Sequence, residues 1–155
     1  MNLTWSCLPF ADLSLNELYE LLQLRSRVFV VEQNCVFLDA DNLDQPTHVR
    51  HVLGKNTHGK LCAYARISLP HAAEKRCVIS RVMTAPDMRG TGCGHALMRE
   101  VLHRCRQSAP SATLTLSGQN HLRDFYRAHG FVPQGEVYLE DGIEHIRMDY
   151  AFQAA

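Results

Sequence analysis

The sequence predicts an α+β protein: a mixed, largely antiparallel central sheet flanked by helices. Three observations predict it. Short apolar or alternating runs rich in β-branched residues recur along the chain, as in VRHVLGK at positions 49–55 and VISRVM at 78–83. Between some of them lie stretches whose apolar residues return every three or four positions, the spacing of one helix face. Hairpin signals join certain strands directly, while helical stretches bridge others. Antiparallel pairing on one side of a sheet and crossover helices elsewhere follow from that alternation.

Each element has its own signal. Residues 3–8 read as a first strand. Ser14 and Glu17 form a capping box, in which hydroxyl and carboxylate satisfy each other's orphan amides. The helix they open carries Leu18, Leu21, Leu22, Arg25 and Phe29 along one stripe, with Arg25 its one polar member. A guanidinium there either lays its stem on the core and reaches water, or enters an ion pair. Residues 30–48 follow, acidic and loop-like after Phe37. Strands at 49–55 and 61–69 flank Asn56-Thr57-His58-Gly59, a turn signal. After a polar connection at 71–76 comes the strand at 78–83, broken by Ala85-Pro86-Asp87. Leu97, Met98, Val101, Leu102 and Cys105 then mark a helix that ends near Pro110. A strand at 112–116 precedes a helix face of Leu122, Phe125, Tyr126 and His129, stopped by Gly130. Strands at 134–140 and 145–150 close the chain around Asp141-Gly142. The predicted order is β-α-β-β-β-α-β-α-β-β, in a single domain over residues 1–155 with its core at about 5–151.

Composition excludes several classes. The 155 residues carry no net formal charge and no basic block, which disfavours nucleic acid as a partner. No apolar run approaches membrane-spanning length, and the first residues lack the charged and apolar regions of a signal peptide. The six cysteines contain no C-x-x-C pair, so neither zinc nor a redox motif is indicated, and reduced thiols in the cytoplasm are the expectation. Asp39, Asp41 and Asp44 resemble a metal loop in spacing, but Leu43 stands where an oxygen ligand is needed and no glycine follows. No metal is expected.

Chemistry concentrates where the strand at 78–83 meets the next helix. The first amides of a helix lack internal acceptors, and its dipole adds partial positive charge there. Glycines let a phosphate reach those amides. Gly94 is followed by His95-Ala96 rather than Lys-Ser/Thr, so this is no P-loop. A G-x-G-x-x-G frame fails from Gly90 and from Gly92. What remains is Arg89-Gly90-Thr91-Gly92-Cys93-Gly94, which resembles the acetyl-CoA pyrophosphate loop of the GNAT superfamily of N-acetyltransferases.

The resemblance extends over nearly the whole chain. Tyr126 stands four residues before Gly130-Phe131, where GNAT domains commonly carry the tyrosine that protonates the leaving CoA thiolate. Those domains often have Asn seven residues before that tyrosine. Gln119 stands there, with Asn120 one place late. LYELLQLR at 18–25, VFVVEQNC at 28–35, the aspartate triplet, Arg81-Val82, Gln119-x-His121-Leu122 and EVYLEDGI at 136–143 are similar to the ElaA group of bacterial GNAT proteins. Arg25-x-x-x-Phe29 and the triplet also match the spacing of acyl-homoserine-lactone synthases, which have a tryptophan near Cys35 and are generally longer.

The resemblance implies an acetyl-CoA-dependent N-acetyltransferase acting by direct attack of an amine on the thioester. The acceptor is a small-molecule or peptide amine, and the protein a monomer or homodimer. On the same basis Val82, Met83 and Thr84 supply pantetheine and oxyanion contacts, Arg89 to Gly94 hold the pyrophosphate, and Gln119 meets the pantetheine arm. Tyr126 is the acid. Among Glu32, Asp39, Asp41, Asp44, His48 and His121, Glu32 ranks first as base because it follows the first helix. Arg25, Phe29, the three aspartates, His48 and His121 are assigned to the acceptor side. Three other readings stay open: a CoA-binding sensor without turnover, an acyl-homoserine-lactone-synthase-like acyltransferase, and a ping-pong path through Cys35 or Cys93.

Overall fold

The computed structural model describes residues 2–154. Its strands are β1 (Thr4–Leu8), β2 (Val49–Lys55), β3 (Leu61–Ser68), β4 (Cys77–Thr84), β5 (Thr113–Gln119), β6 (Val132–Glu140) and β7 (Ile143–Ala151). The helices are α1 (Leu15–Arg25), α2 (Cys93–Ser108) and α3 (Arg123–Arg127). This is the element order expected from the sequence. The strands form one seven-stranded sheet in the order β1-β2-β3-β4-β5-β7-β6. Only β4 and β5 run parallel.

The capping box forms as written. The Ser14 amide donates to Glu17 Oε2 at 2.9 Å, and the Glu17 amide to Ser14 Oγ at 3.1 Å. The single helical stripe expected after it does not continue unbroken. At Ser26–Glu32 the chain widens into a π-helical turn, which resets the angular position of everything beyond Arg25. Leu24 and Val28 enter the core with Leu21, while Leu18, Leu22 and Phe29 pack at its margin. This cluster lies on one face of the sheet with Leu53, Tyr64 and Met83. On the opposite face α2 buries Leu97, Met98, Val101 and Cys105, its predicted stripe, with Leu102 at the edge.

Two irregularities open the sheet at its centre. The β4–β5 ladder stops after Ile79↔Leu116, although both strands continue. Opposite, Tyr64 pairs with Met83 and Arg66 with Ser80, so Arg81 and Val82 share a single partner position on β3. This β-bulge turns β4 away from β5. Arg81 adopts a φ of 54°, a left-handed conformation that costs a non-glycine residue of order 1–3 kcal/mol. Beyond the split, β5 runs on through Ser117, Gly118 and Gln119, residues with little strand preference. Pairing with Arg147, Ile146 and His145 of β7 holds them extended.

The acidic loop is fastened down by arginines. Arg25 is fully buried; its Nε donates to Asp39 Oδ2 at 2.8 Å and its Nη1 to Asp44 Oδ1 at 2.7 Å. Arg66 binds Asp41 and Asp44, and Arg81 binds Asp39 at 2.8 Å. Behind them His51 Nε2 donates to the Asp44 carbonyl at 3.0 Å, and in the neutral ring Nδ1 accepts from Tyr64 Oη at 2.8 Å. Burial is the chief cause holding the His51 pKa below its ordinary value.

Burial pushes Asp41 and Asp44 toward the neutral acid, but the hydrogen bonds and charges of the surrounding arginines outweigh it. Asp41 is brought down to about 2, and Asp44 is also lowered. All three groups therefore have folded pKa values below their unfolded ones. Each favours folding above its unfolded pKa and loses that contribution as pH falls. Urea midpoints are expected to decline first as pH drops through the ordinary histidine range near 6.5, then again from the ordinary carboxylate value of 3.8 toward about 2. Replacing His51 with Gln is expected to reduce the first decline, to which His48 and His129, also lowered by burial, contribute the remainder. Asp44→Ala leaves two arginines short of a buried counter-charge and is expected to cost about 3–5 kcal/mol in urea titrations at neutral pH.

Candidate active site

The split between β4 and β5 opens into a cleft of about 1010 Å³ that runs from the glycine loop to the β6–β7 hairpin. One wall is β4, whose main chain from Ser80 to Thr84 has no β5 partner, so Val82, Met83 and Thr84 line the cleft beside Arg81. Polar groups on that edge are open to a ligand.

At one end stands the N-terminus of α2. Gly90 and Gly92 have φ of 74° and 85°, and an added Cβ at either would meet nothing within 4 Å. Conformation, not crowding, requires glycine there, and the space beyond is left clear. The first intrahelical bond runs from the Ala96 amide to Gly92 O at 3.0 Å. The amides of Cys93, Gly94 and His95 precede it at the helix start, a place suited to an anion. The Cys93 side chain turns inward: it is buried, its Sγ lies 3.8 Å from Cys62 O, and burial raises its pKa. A thiol so placed offers the loop only its amide and is a poor nucleophile. Thr91 Oγ1 donates to Met88 O at 2.6 Å, closing the loop.

Tyr126 reaches the cleft from α3. It is 5% exposed and packs edge-on to Phe125 and Phe131. Its ring lies against Gly118 of β5, where a Cβ would approach Tyr126 Cε2 to 2.9 Å and Leu116 Cδ1 to 3.1 Å. Burial pushes the phenol pKa up to about 12. The group therefore stays protonated at neutral pH and is an acid rather than a base. Gln119, at the position seven residues before Tyr126, lines the cleft, and Asn120 is not among its lining residues.

The remaining sequence assignments divide. Phe29, Asp41 and His121 line the cleft. Arg25, Asp39 and Asp44 do not: the first is sealed in the core, and the two aspartates are spent on arginines beneath the cleft. An acceptor cannot reach them, so their assignment to its binding is corrected. His48 also lies elsewhere, stacked on His71 with ring centroids 3.9 Å apart. Glu32 does line the cleft, but its Oε1 sits 2.6 Å from Arg89 Nη1. In this arrangement the carboxylate is paired with a guanidinium rather than open to an amine.

Sequence reasoning missed the far end, where Ser117, Glu140, Asp141 and His145 join the lining. Glu140 and His145 belong to strands that looked like ordinary sheet, Asp141 to the turn between them, and Ser117 lies one residue past the predicted end of its strand. Only the run EVYLEDGI, quoted above for its likeness and given no role, pointed there. Cys35 Sγ donates to Asp141 O at 3.4 Å and so ties the loop after the π turn to this hairpin. Among the described residues, no cluster of three or more His, Cys, Asp or Glu is arranged to hold a metal, and no helix is long and apolar enough to cross a membrane.

Comparison with known proteins agrees with this architecture. Residues 42–152 match the family described as acetyltransferase (GNAT) domain. The chain is 45% identical over 145 residues to Protein ElaA of Escherichia coli K12, covering 93% of this chain and 94% of that protein. It superposes on the crystal structure of an acyl-CoA N-acyltransferase from Pseudomonas aeruginosa with a TM-score of 0.91 at 43% identity, over 97% of this chain and 100% of that one. A CoA-dependent acyl-homoserine lactone synthase shares the fold alone, at TM-score 0.75 and 16% identity over 96% of this chain and 83% of the other.

The contact between Gly118 and Tyr126 yields a test. Gly118→Ala is expected to force the ring aside, at about 1–3 kcal/mol of stability. In an ultraviolet titration of the phenols, the step near 12 should then move toward the ordinary tyrosine value of 10 as the ring gains solvent.

Proposed function

This chain belongs to the GNAT acetyltransferase family, and from that premise we propose that it transfers the acetyl group of acetyl-CoA to an amine by direct attack on the thioester. The observation that carries the reading is the joining, within one cleft, of an open helix N-terminus, an unpaired stretch of β4 and a protonated buried tyrosine.

Each part has a role in the proposal. The amides of the glycine loop, from Gly90 to Gly94, and the side chain of Arg89 take the pyrophosphate, with Thr91 bracing the turn. The pantetheine arm enters the split, where the β4 edge at Val82, Met83 and Thr84 and the Gln119 amide hydrogen-bond to it. The same edge stabilises the oxyanion that forms when nitrogen attacks the carbonyl carbon. Tyr126 then gives its proton to the departing thiolate. Phe29, Asp41 and His121 border the acceptor. Glu32 is proposed as the counter-charge that holds Arg89, in place of the base role its position in the sequence suggested. A sensor without turnover has no use for a buried acid at the split, which favours the enzyme.

Two measurements test the proposal. Acetyl-CoA at about a hundred times its dissociation constant should stabilise the protein by roughly 2.7 kcal/mol, while NADH and ATP leave its melting temperature unchanged. Tyr126→Phe should lower turnover, read as free-thiol release, by roughly 100-fold, with the acetyl-CoA shift retained. Wild-type turnover in that variant would remove Tyr126 from the mechanism.

A further inference from the structure

The far end of the cleft contains a set of groups not used above. In antiparallel strands, residues directly opposite share a sheet face. Gln119 is opposite His145, and His145 is opposite Tyr138. These side chains and that of Ser117, two residues from Gln119, thus share one face. Gly118 and Ile146 present the other, where Tyr126 packs. The acid and this set therefore approach the split from opposite sides.

The hydrogen bonds of the set run in one direction. The Tyr138 hydroxyl bonds to Ser117 Oγ, and Ser117 Oγ donates to Glu140 Oε2 at 3.2 Å. His145 Nδ1 lies 2.8 Å from the Ile143 carbonyl. A carbonyl only accepts, so Nδ1 carries the hydrogen. In the neutral ring Nε2 then bears the lone pair. Nε2 is 3.4 Å from Glu140 Oε2. With the ring neutral, two acceptor atoms thus lie 3.4 Å apart, close enough for one group with at least two N–H donors to satisfy both. The imidazole is 12% exposed and held on Ile143, while the Glu140 side chain is 51% exposed and bonded to the Ser117 hydroxyl.

We propose that His145 and Glu140 form the cradle for a primary ammonium acceptor, with His145 Nε2 as its general base. This rests on the transfer reading above. An R–NH₃⁺ group donates one N–H to Nε2 and another to the Glu140 carboxylate, and passes the first proton to Nε2. The neutral nitrogen attacks the thioester carbon. The N–C bond forms, the C–S bond breaks, and the electron pair leaves on sulfur, which takes the Tyr126 proton. The second nitrogen proton restores Tyr126, and His145 releases its proton to water. Acyl-CoA and R–NH₃⁺ become the amide, CoA thiol and one proton. Cationic selectivity comes from the hairpin, since the aspartates of the 33–48 loop are largely neutralised by arginine.

The test follows thiol release from acetyl-CoA with 1,5-diaminopentane, spermidine and lysine amide as probes, beside thermal shifts with acetyl-CoA. His145→Ala is expected to keep the thermal shift, lose roughly 100-fold in turnover and recover at least tenfold when imidazole is added. His145→Gln keeps the shape without a base and should stay inactive. Glu140→Gln, on the exposed hairpin, should raise KM for these amines more than it lowers kcat. Wild-type turnover in His145→Gln, or failure of imidazole to restore His145→Ala, overturns the assignment while leaving acyl transfer intact. A wild-type protein that acetyl-CoA does not stabilise overturns the acyl-CoA reading itself. Stabilisation without thiol release from any probe overturns both transfer and base.

Discussion

The bulge at Arg81 is the constraint on which the cleft depends. A parallel pair such as β4 and β5 would close into a continuous ladder if both strands stayed regular. One extra residue on β4 stops it, and that residue sits in a left-handed conformation without being glycine. Its guanidinium reaches back to Asp39, which also binds Arg25, and lies over the Phe29 and Phe37 rings at 5.8 and 5.4 Å. The strain is thus held by an ion network rooted in α1 and β3. Buried ion pairs contribute little net stability over apolar packing, because desolvation offsets attraction. What this network supplies is a fixed geometry: it fastens a polar loop across the sheet and keeps the split open.

The split divides the chemistry between two faces. The glycine loop and Tyr126 belong to the side covered by α2 and α3, where burial keeps the phenol protonated. The π turn, Asp41 and the β6–β7 hairpin form the other side. Cys35 joins them by its contact with the Asp141 carbonyl. In the proposed reaction a thioester threaded through the split would meet an acid from one side and an amine from the other.

How much of this the sequence revealed depended on how local the cause was. The capping box, the α2 stripe and the glycine loop are written in neighbouring residues, and all were legible. The π turn was not, because Leu18, Leu21, Leu22, Arg25 and Phe29 keep helical spacing whether or not a residue is inserted after Arg25. The end of β5 was hidden too, since Ser117, Gly118 and Gln119 become strand only by pairing with β7. Arg25 showed itself as an anomaly on an apolar face, and the aspartates as a triplet. Only the fold reveals that each answers the other. His145 gave no signal, because its meaning lies in the carbonyl of Ile143 and a carboxylate across the turn.

The pair of Glu32 and Arg89 illustrates why a cleft carboxylate need not be the base. Both side chains are well exposed, at 39% and 46%. Exposed pairs of this kind contribute about 0–1 kcal/mol, because water screens the attraction and ordering two long chains opposes it. Releasing Arg89 from Glu32 is therefore inexpensive. A pyrophosphate brings more charge and more acceptor oxygens than one carboxylate, and the helix N-terminus reinforces it. In the proposed role Glu32 keeps Arg89 near the loop before the ligand arrives. That role needs a carboxylate at the end of the π turn and asks nothing of its proton, and the proposed mechanism assigns the proton of the amine to His145 on the opposite strands.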